Sequence, residues 1–177
     1  MKPYGGIKPT RTFEVFGPFR VPTIKGRSAR RIDRDCRTFW EREDVLELRR
    51  RIGCYVFAIR AAKGYRPVYV GKTWNSFDKE VFGSHQLYYY NAELADILKG
   101  NPVLFFVAYP EGRGRVNKQM IRDVEEFLIQ IAVTRNSNLR NIIGKKEKKW
   151  GIRGVIRSGK GRTGETITEF KKTLRLP

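Results

Sequence analysis

The chain has 177 residues and carries 37 Lys and Arg against 18 Asp and Glu, a formal charge of +19. That excess speaks to partners rather than to fold, and it favours DNA or RNA over an anionic membrane surface. No apolar run approaches the roughly 20 residues that span a bilayer, and Met1 to Gly6 lacks the apolar stretch of a secretory signal.

From the N-terminus, Gly5-Gly6, Pro9 and Gly17-Pro18 interrupt regular structure, and Phe13 to Val21 is read as a short strand or a hairpin around Gly17-Pro18. Arg27, Arg30, Arg31, Arg34 and Arg37 recur at near-helical spacing and form a candidate phosphate-facing patch. Residues 39–51 read as a helix with Phe39, Val45 and Leu46 as apolar contacts.

Gly53 to Ile59 is aromatic and β-branched, which predicts a buried strand. Val68 to Gly71 predicts its antiparallel partner across a loop at 62–67. Two short helices follow, one within 76–87 and one over 91–99, the second stopped by Gly100-Asn101-Pro102. Val103 to Ala108 is uncharged and reads as a central strand. Residues 117–134 read as a helix with Met120, Val124, Phe127, Leu128 and Ile131 along its apolar stripe, and Phe170 to Leu176 as a short final helix.

The fold class expected is α+β, a small mainly antiparallel sheet of two or three strands with flanking helices. A compact core is placed at 45–143, between a basic extension at 1–44 that packs on it and another at 144–177. The last 34 residues hold 11 Lys and Arg against 3 acids, the densest positive charge in the chain.

Chemistry-bearing residues are few. Cys36 and Cys54 form neither a disulfide framework nor a CxxC metal pattern, so a reducing cytoplasm is the simplest compartment. With His85 the single histidine, zinc fingers and HExxH metalloproteases lack their ligands. In the long helix, Glu125 lies near the apolar stripe while Glu126 points to solvent. A carboxylate at the edge of a buried face calls for compensation. Either an arginine salt bridge or a divalent cation supplies it, since magnesium needs only one or two protein carboxylates. Tyr55 and Tyr69 sit one on each hairpin strand, each near a glycine. Gly71 permits close approach of backbone or ligand, and Lys72 and Thr73 behind it are candidate phosphate donors. The GxxxxGK[ST] spacing of a nucleotide P-loop is missing.

Gly53-Cys54-Tyr55, then Tyr69-Val70-Gly71-Lys72-Thr73, then Glu125-Glu126-Phe127-Leu128-Ile129, then Asn138-Leu139-Arg140-Asn141 occur in this order over roughly residues 52–143. Together they resemble the GIY-YIG nuclease superfamily, with this chain as a divergent bacterial member in which cysteine and valine replace the two name-giving isoleucines. The resemblance implies a GIY-YIG-like core and a metal-dependent endonuclease. Tyr55 and Tyr69 would be its active-site tyrosines, Glu125 the ligand of Mg²⁺ or Mn²⁺, and Asn141 a supporting polar residue. Helix geometry prefers Glu125 over Glu126. Gly71, Lys72 and Thr73 would bind phosphate. The family's arginine after the YIG strand is Lys79 here, which keeps the charge but not the bidentate fork. His85, in a region where some members carry a histidine, is a secondary catalytic candidate. Glu80 is read as a salt-bridge partner for the basic surface.

The resemblance further implies hydrolysis of a nucleic-acid phosphodiester, DNA in preference to RNA, with Tyr55 or Tyr69 accepting the proton of the attacking water. A free phenol titrates near 10 and is a poor base unless its surroundings favour the phenolate. The competing expectation, favoured by Lys79, is a DNA- or RNA-binding protein that keeps the fold without cleavage. No membrane partner is expected.

Overall fold

The computed structural model describes residues 11–26, 29–33, 35–62, 64–97, 99–112, 115–133, 151–155 and 164–176. The strands are β1 (Thr12–Arg20), β2 (Ile24–Lys25), β3 (Arg30–Arg31), β4 (Gly53–Ala61), β5 (Gly64–Thr73), β6 (Asn101–Ala108) and β7 (Gly151–Ile152). The helices are α1 (Arg37–Trp40), α2 (Glu43–Leu46), α3 (Phe77–Glu80), α4 (Ser84–Asp96), α5 (Lys118–Val133) and α6 (Glu165–Leu174).

This is an α+β fold. Its central sheet has five strands in the order β5-β4-β6-β1-β7, antiparallel except for the β1–β7 pair, and helices cover both faces. β4 and β6 run through the middle, which suits their uncharged sequences because a central strand is covered on both sides. β5 is an edge strand. The β4–β5 ladder shifts register after Phe57, where Val68 is left as the extra residue of a bulge.

Strand alternation sends successive side chains to opposite faces and divides the core. One face gathers Cys54, Val56, Val70, Phe105 and Val107 beneath Ile121, Val124 and Leu128 of α5 and Phe170 of α6. The other gathers Tyr55, Phe57, Leu104 and Phe106 beneath Phe39, Trp40, Phe77, Leu87 and Tyr90. The side chain of Asn117 accepts a hydrogen bond from the Met120 amide at 3.0 Å and caps α5. Asn91 of α4 accepts one from the Ile32 amide at 2.7 Å, tying the segment after β3 to this helix.

Several sequence expectations change. The sheet has five strands rather than two or three, because residues on either side of the expected core, at 12–20 and 151–152, complete it. Phe13 to Val21 is no hairpin: β1 continues through Gly17-Pro18, and a register shift against β6 between Phe16 and Phe19 absorbs the irregularity. The helix expected over 39–51 is two short helices. The two expected between 76 and 99 are divided differently, as the brief α3 and the thirteen-residue α4. Arg30 and Arg31 lie in a strand, so the arginine series is not a helical stripe there; Arg27 and Arg34 lie outside the described residues. α6 starts at Glu165 and ends at Leu174. Among the described residues, no helix is long and apolar enough to cross a membrane.

Candidate active site at the open edge of the sheet

Gly53 opens β4 with φ of 141°, and a Cβ there would fall 2.9 Å from the Tyr109 amide. Both the backbone conformation and the space call for glycine. Two residues on, Tyr55 is wholly buried and stands opposite Gly71 in the β4–β5 register. Its ring lies across Gly71 so closely that a Cβ at 71 would overlap the phenol carbons and oxygen, with Cε2 at 2.9 Å. The glycines beside both tyrosines therefore answer to packing: one starts the strand, and the other makes room for the neighbouring strand's ring.

Tyr69 is half-buried on the same face, its ring 6.2 Å from Tyr55 at 22°. Tyr89 of α4 continues the stack at 5.8 Å and 28°, and Tyr90 meets Tyr69 edge-on at 5.7 Å. Tyr90 in turn lies flat on Phe57 at 3.9 Å. The Tyr55 and Tyr90 hydroxyls are buried and make no hydrogen bond of good geometry among the described residues, although Gln86, Tyr69 and Tyr90 stand close to the Tyr55 hydroxyl. Burial pushes all three phenols, Tyr55, Tyr69 and Tyr90, above the ordinary tyrosine value, and each is pushed further by nearby groups that are or would be negative.

Two carboxylates add to the effect of burial on the Tyr69 phenol. After burial, the next largest influence is the Glu125 carboxylate, followed by Glu80. Glu125 comes from α5 on the opposite face of the sheet. Among the described residues no strand lies beyond β5, whose Lys72 pairs with Glu125 on one face while its Tyr69 lies with the other. The Glu125 side chain is 14% exposed and is ion-paired with the Lys72 ammonium. Its other carboxylate oxygen has no partner among the described residues. Glu126 is exposed. Glu80 accepts a hydrogen bond from the buried Gln86 amide at 2.7 Å, adds to the upward shift of Tyr55, and forms no ion pair among the described residues. Cys54, across the ladder from Lys72, is fully buried. Burial pushes its thiol up and Glu125 adds to this, while Lys72 opposes it.

The remaining candidates are dispersed around this edge. Thr73 is buried: its hydroxyl accepts from the Asn75 amide at 3.1 Å and donates to the Ser76 carbonyl at 3.4 Å, so it serves the turn after β5. Lys79 is exposed on α3, and its ammonium forms no ion pair among the described residues. His85 is exposed, its ring edge-on to Tyr89 at 4.9 Å. Asn141 lies outside the described residues.

Sequence reasoning passed over Trp74 and gave Glu80 only a role at the basic surface. Glu80 becomes relevant only through the turn that brings α3 against the hairpin. Trp74 directly follows Lys72-Thr73 and is 38% exposed, with Lys72, Lys118 and Arg122 at 5.8, 5.3 and 5.3 Å from its ring centre. A tryptophan at the end of a strand in a strongly basic chain was the available signal.

Chemically, the edge offers one accessible hard-oxygen donor, a lysine already beside it, and a phenol whose surroundings keep it protonated. Among the described residues no three His, Cys, Asp or Glu side chains cluster. A single carboxylate, already paired with Lys72, could hold at most a largely hydrated cation and not one in an all-protein cage. No protein-family model, no curated protein and no solved structure matches the chain.

Proposed function

We propose that the chain is a metal-dependent endonuclease of the GIY-YIG kind, hydrolysing phosphodiester bonds in nucleic acid, with DNA the preferred substrate. What supports this reading is that nearby positions of β5 carry both elements, Lys72 ion-paired with Glu125 of α5 and Tyr69 stacked on Tyr55 of the hairpin. The +19 charge supports a polyanionic substrate, and the preference for DNA rests on the motif resemblance.

Glu125 is the residue that would hold Mg²⁺ or Mn²⁺. Such an ion, when bound, supplies positive charge against the phosphate and makes water a stronger acid. Lys72 neutralises Glu125 in the free protein, and on arrival of a substrate phosphate its ammonium turns to the phosphate oxygens. Lys79 adds a second ammonium on the tyrosine side. Tyr69, held protonated by burial and by two carboxylates, acts as a hydrogen-bond donor that orients phosphate or water. Tyr55 is sealed beneath it and positions the hairpin. In the metal-free protein the nearby charges favour the neutral form of both phenols, and a cation on Glu125 would offset the largest of these charges on Tyr69.

The Lys72–Glu125 pair also favours a second reading, a nucleic-acid-binding protein without cleavage, in which the lysine takes the place of a cation permanently. A cleavage assay on plasmid, branched DNA and structured RNA separates the two. The nuclease cuts with Mg²⁺ or Mn²⁺ and is silent with chelator. Glu125→Gln lowers the rate at least about a hundredfold, the scale on which removal of a stabilising group at a reacting centre acts, and Tyr69→Phe lowers it less. Tight binding with no cleavage under any condition establishes the second reading. Metal-dependent cleavage unchanged in both variants removes the site assignment.

A further inference from the structure

We propose that Trp74 is a stacking platform for an unpaired nucleobase beside the site, so that the substrate carries a single-stranded segment there; this rests on the nucleic-acid reading above. Trp74 belongs to neither core cluster, and it is the one tryptophan among the described residues with an exposed ring; Trp40 is buried. Three cations crowd its indole: Lys72 from β5, and Lys118 and Arg122, one turn apart at the start of α5. Only Lys72 has a carboxylate partner. Lys118 and Arg122 form no ion pair among the described residues.

Three like charges around one ring repel one another, and a cation over an exposed indole recovers only a modest attraction. An incoming polyanion changes this balance. A base replaces a cation over the indole face, and the displaced cation takes up the phosphate next to that base. Every base has a π-face, so the platform accepts bases without reading sequence, provided they are unstacked from a duplex. Lys72 touches both Trp74 and Glu125, which puts the platform next to the carboxylate that would hold the metal. The base recognised is therefore a close neighbour of the phosphate to be cut.

The test uses the full chain, with chelator present so that nothing is cleaved. Anisotropy measures binding of a labelled oligo-dT strand, a blunt duplex and an acidic poly-Glu peptide. Trp74→Ala weakens the single strand roughly tenfold, the scale of one base–aromatic stack, and leaves the blunt duplex within about twofold. Trp74→Phe keeps most of the single-strand affinity, and its unchanged melting temperature guards against a folding artefact. Lys118→Gln and Arg122→Gln each reduce the salt slope by about one for both nucleic acids.

Equal loss for single strand and duplex, no loss in Trp74→Ala, or equally tight poly-Glu binding that depends on Trp74 would overturn the platform while leaving the nuclease proposal intact. A protein that binds no nucleic acid at all removes both proposals. One that shows the Trp74-dependent single-strand preference but never cleaves keeps the platform and loses the nuclease.

Discussion

The two faces of the sheet are built from the same strands and treat polar groups in opposite ways. Beneath α5 and α6 the core is mostly aliphatic and phenylalanine. Tyr65 and Tyr109 are buried there too, but the Tyr109 hydroxyl accepts from Arg11 and from the Asn117 amide, and the charged rim is paired, Lys72 against Glu125. Beneath α3 and α4 the core is rich in aromatic rings and buries phenols, two of them with orphaned hydroxyls. An unpaired buried hydroxyl costs stability that an apolar ring would not, so that face gives up stability for its tyrosines. Strain or poor satisfaction of this sort gathers where function requires it. The difference therefore points to the tyrosine face as the one shaped by something other than folding.

Alkaline titration gives the largest expected contrast between the faces. A folded phenol held above its ordinary value keeps its proton while an unfolded one releases it near pH 10. Stability from Tyr55 and Tyr90 is thus fully present below that pH and declines as pH rises toward the folded values. The loss is about 1.4 kcal/mol per pH unit for each group that ionises only on unfolding. On the other face Cys54 and Tyr65 are likewise raised by burial, and the contribution of Cys54 starts to decline near its ordinary value of 9.0. Urea unfolding across this range should show Tyr55→Phe/Tyr90→Phe moving the alkaline midpoint upward and Cys54→Ala removing only the earlier, shallower loss. Identical curves for the double variant and the parent would break the contrast.

Gly71→Ala comes next. Its new methyl overlaps the Tyr55 ring, and overpacking of this kind costs about 1–3 kcal/mol. Adding Tyr55→Phe should not restore the loss, because the ring carbons remain in contact; full restoration would mean that only the hydroxyl was in the way. The smallest effect belongs to Tyr55→Phe alone, which removes an orphaned hydroxyl at nearly constant shape and should raise stability by about 1 kcal/mol. A clear loss in that variant would show that the hydroxyl is satisfied after all.

Much of the central architecture was legible in the sequence. The apolar runs of β4 and β6 and the stripe of α5 are local patterns, and the structure has them within a few residues of expectation. The sheet's full extent was not, since the parallel pairing of Thr12 and Phe13 with Gly151 and Ile152 joins segments almost 140 residues apart by hydrogen bonds that no periodicity reports. Gly17-Pro18 left a short strand and a hairpin both open, and pairing with β6 on both sides selects the strand. At the site, spacing singled out Tyr55, Tyr69 and Glu125, and helix geometry put Glu125 inward and Glu126 outward. Spacing could not place the carboxylate and the tyrosines on opposite faces of an edge strand. Nor could it show that Thr73 is consumed by a turn, or that Glu80 and Trp74 lie beside the hairpin.

An edge strand with no neighbour among the described residues is one to which a stray strand can add, and β5 meets that hazard within its own sequence. Pro67 lacks an amide donor, and the bulge at Val68 breaks the ladder just before Tyr69. Self-association through this rim is thereby discouraged a few residues from the catalytic candidates, so the same short stretch that shapes the site also keeps the protein from templating its own aggregation.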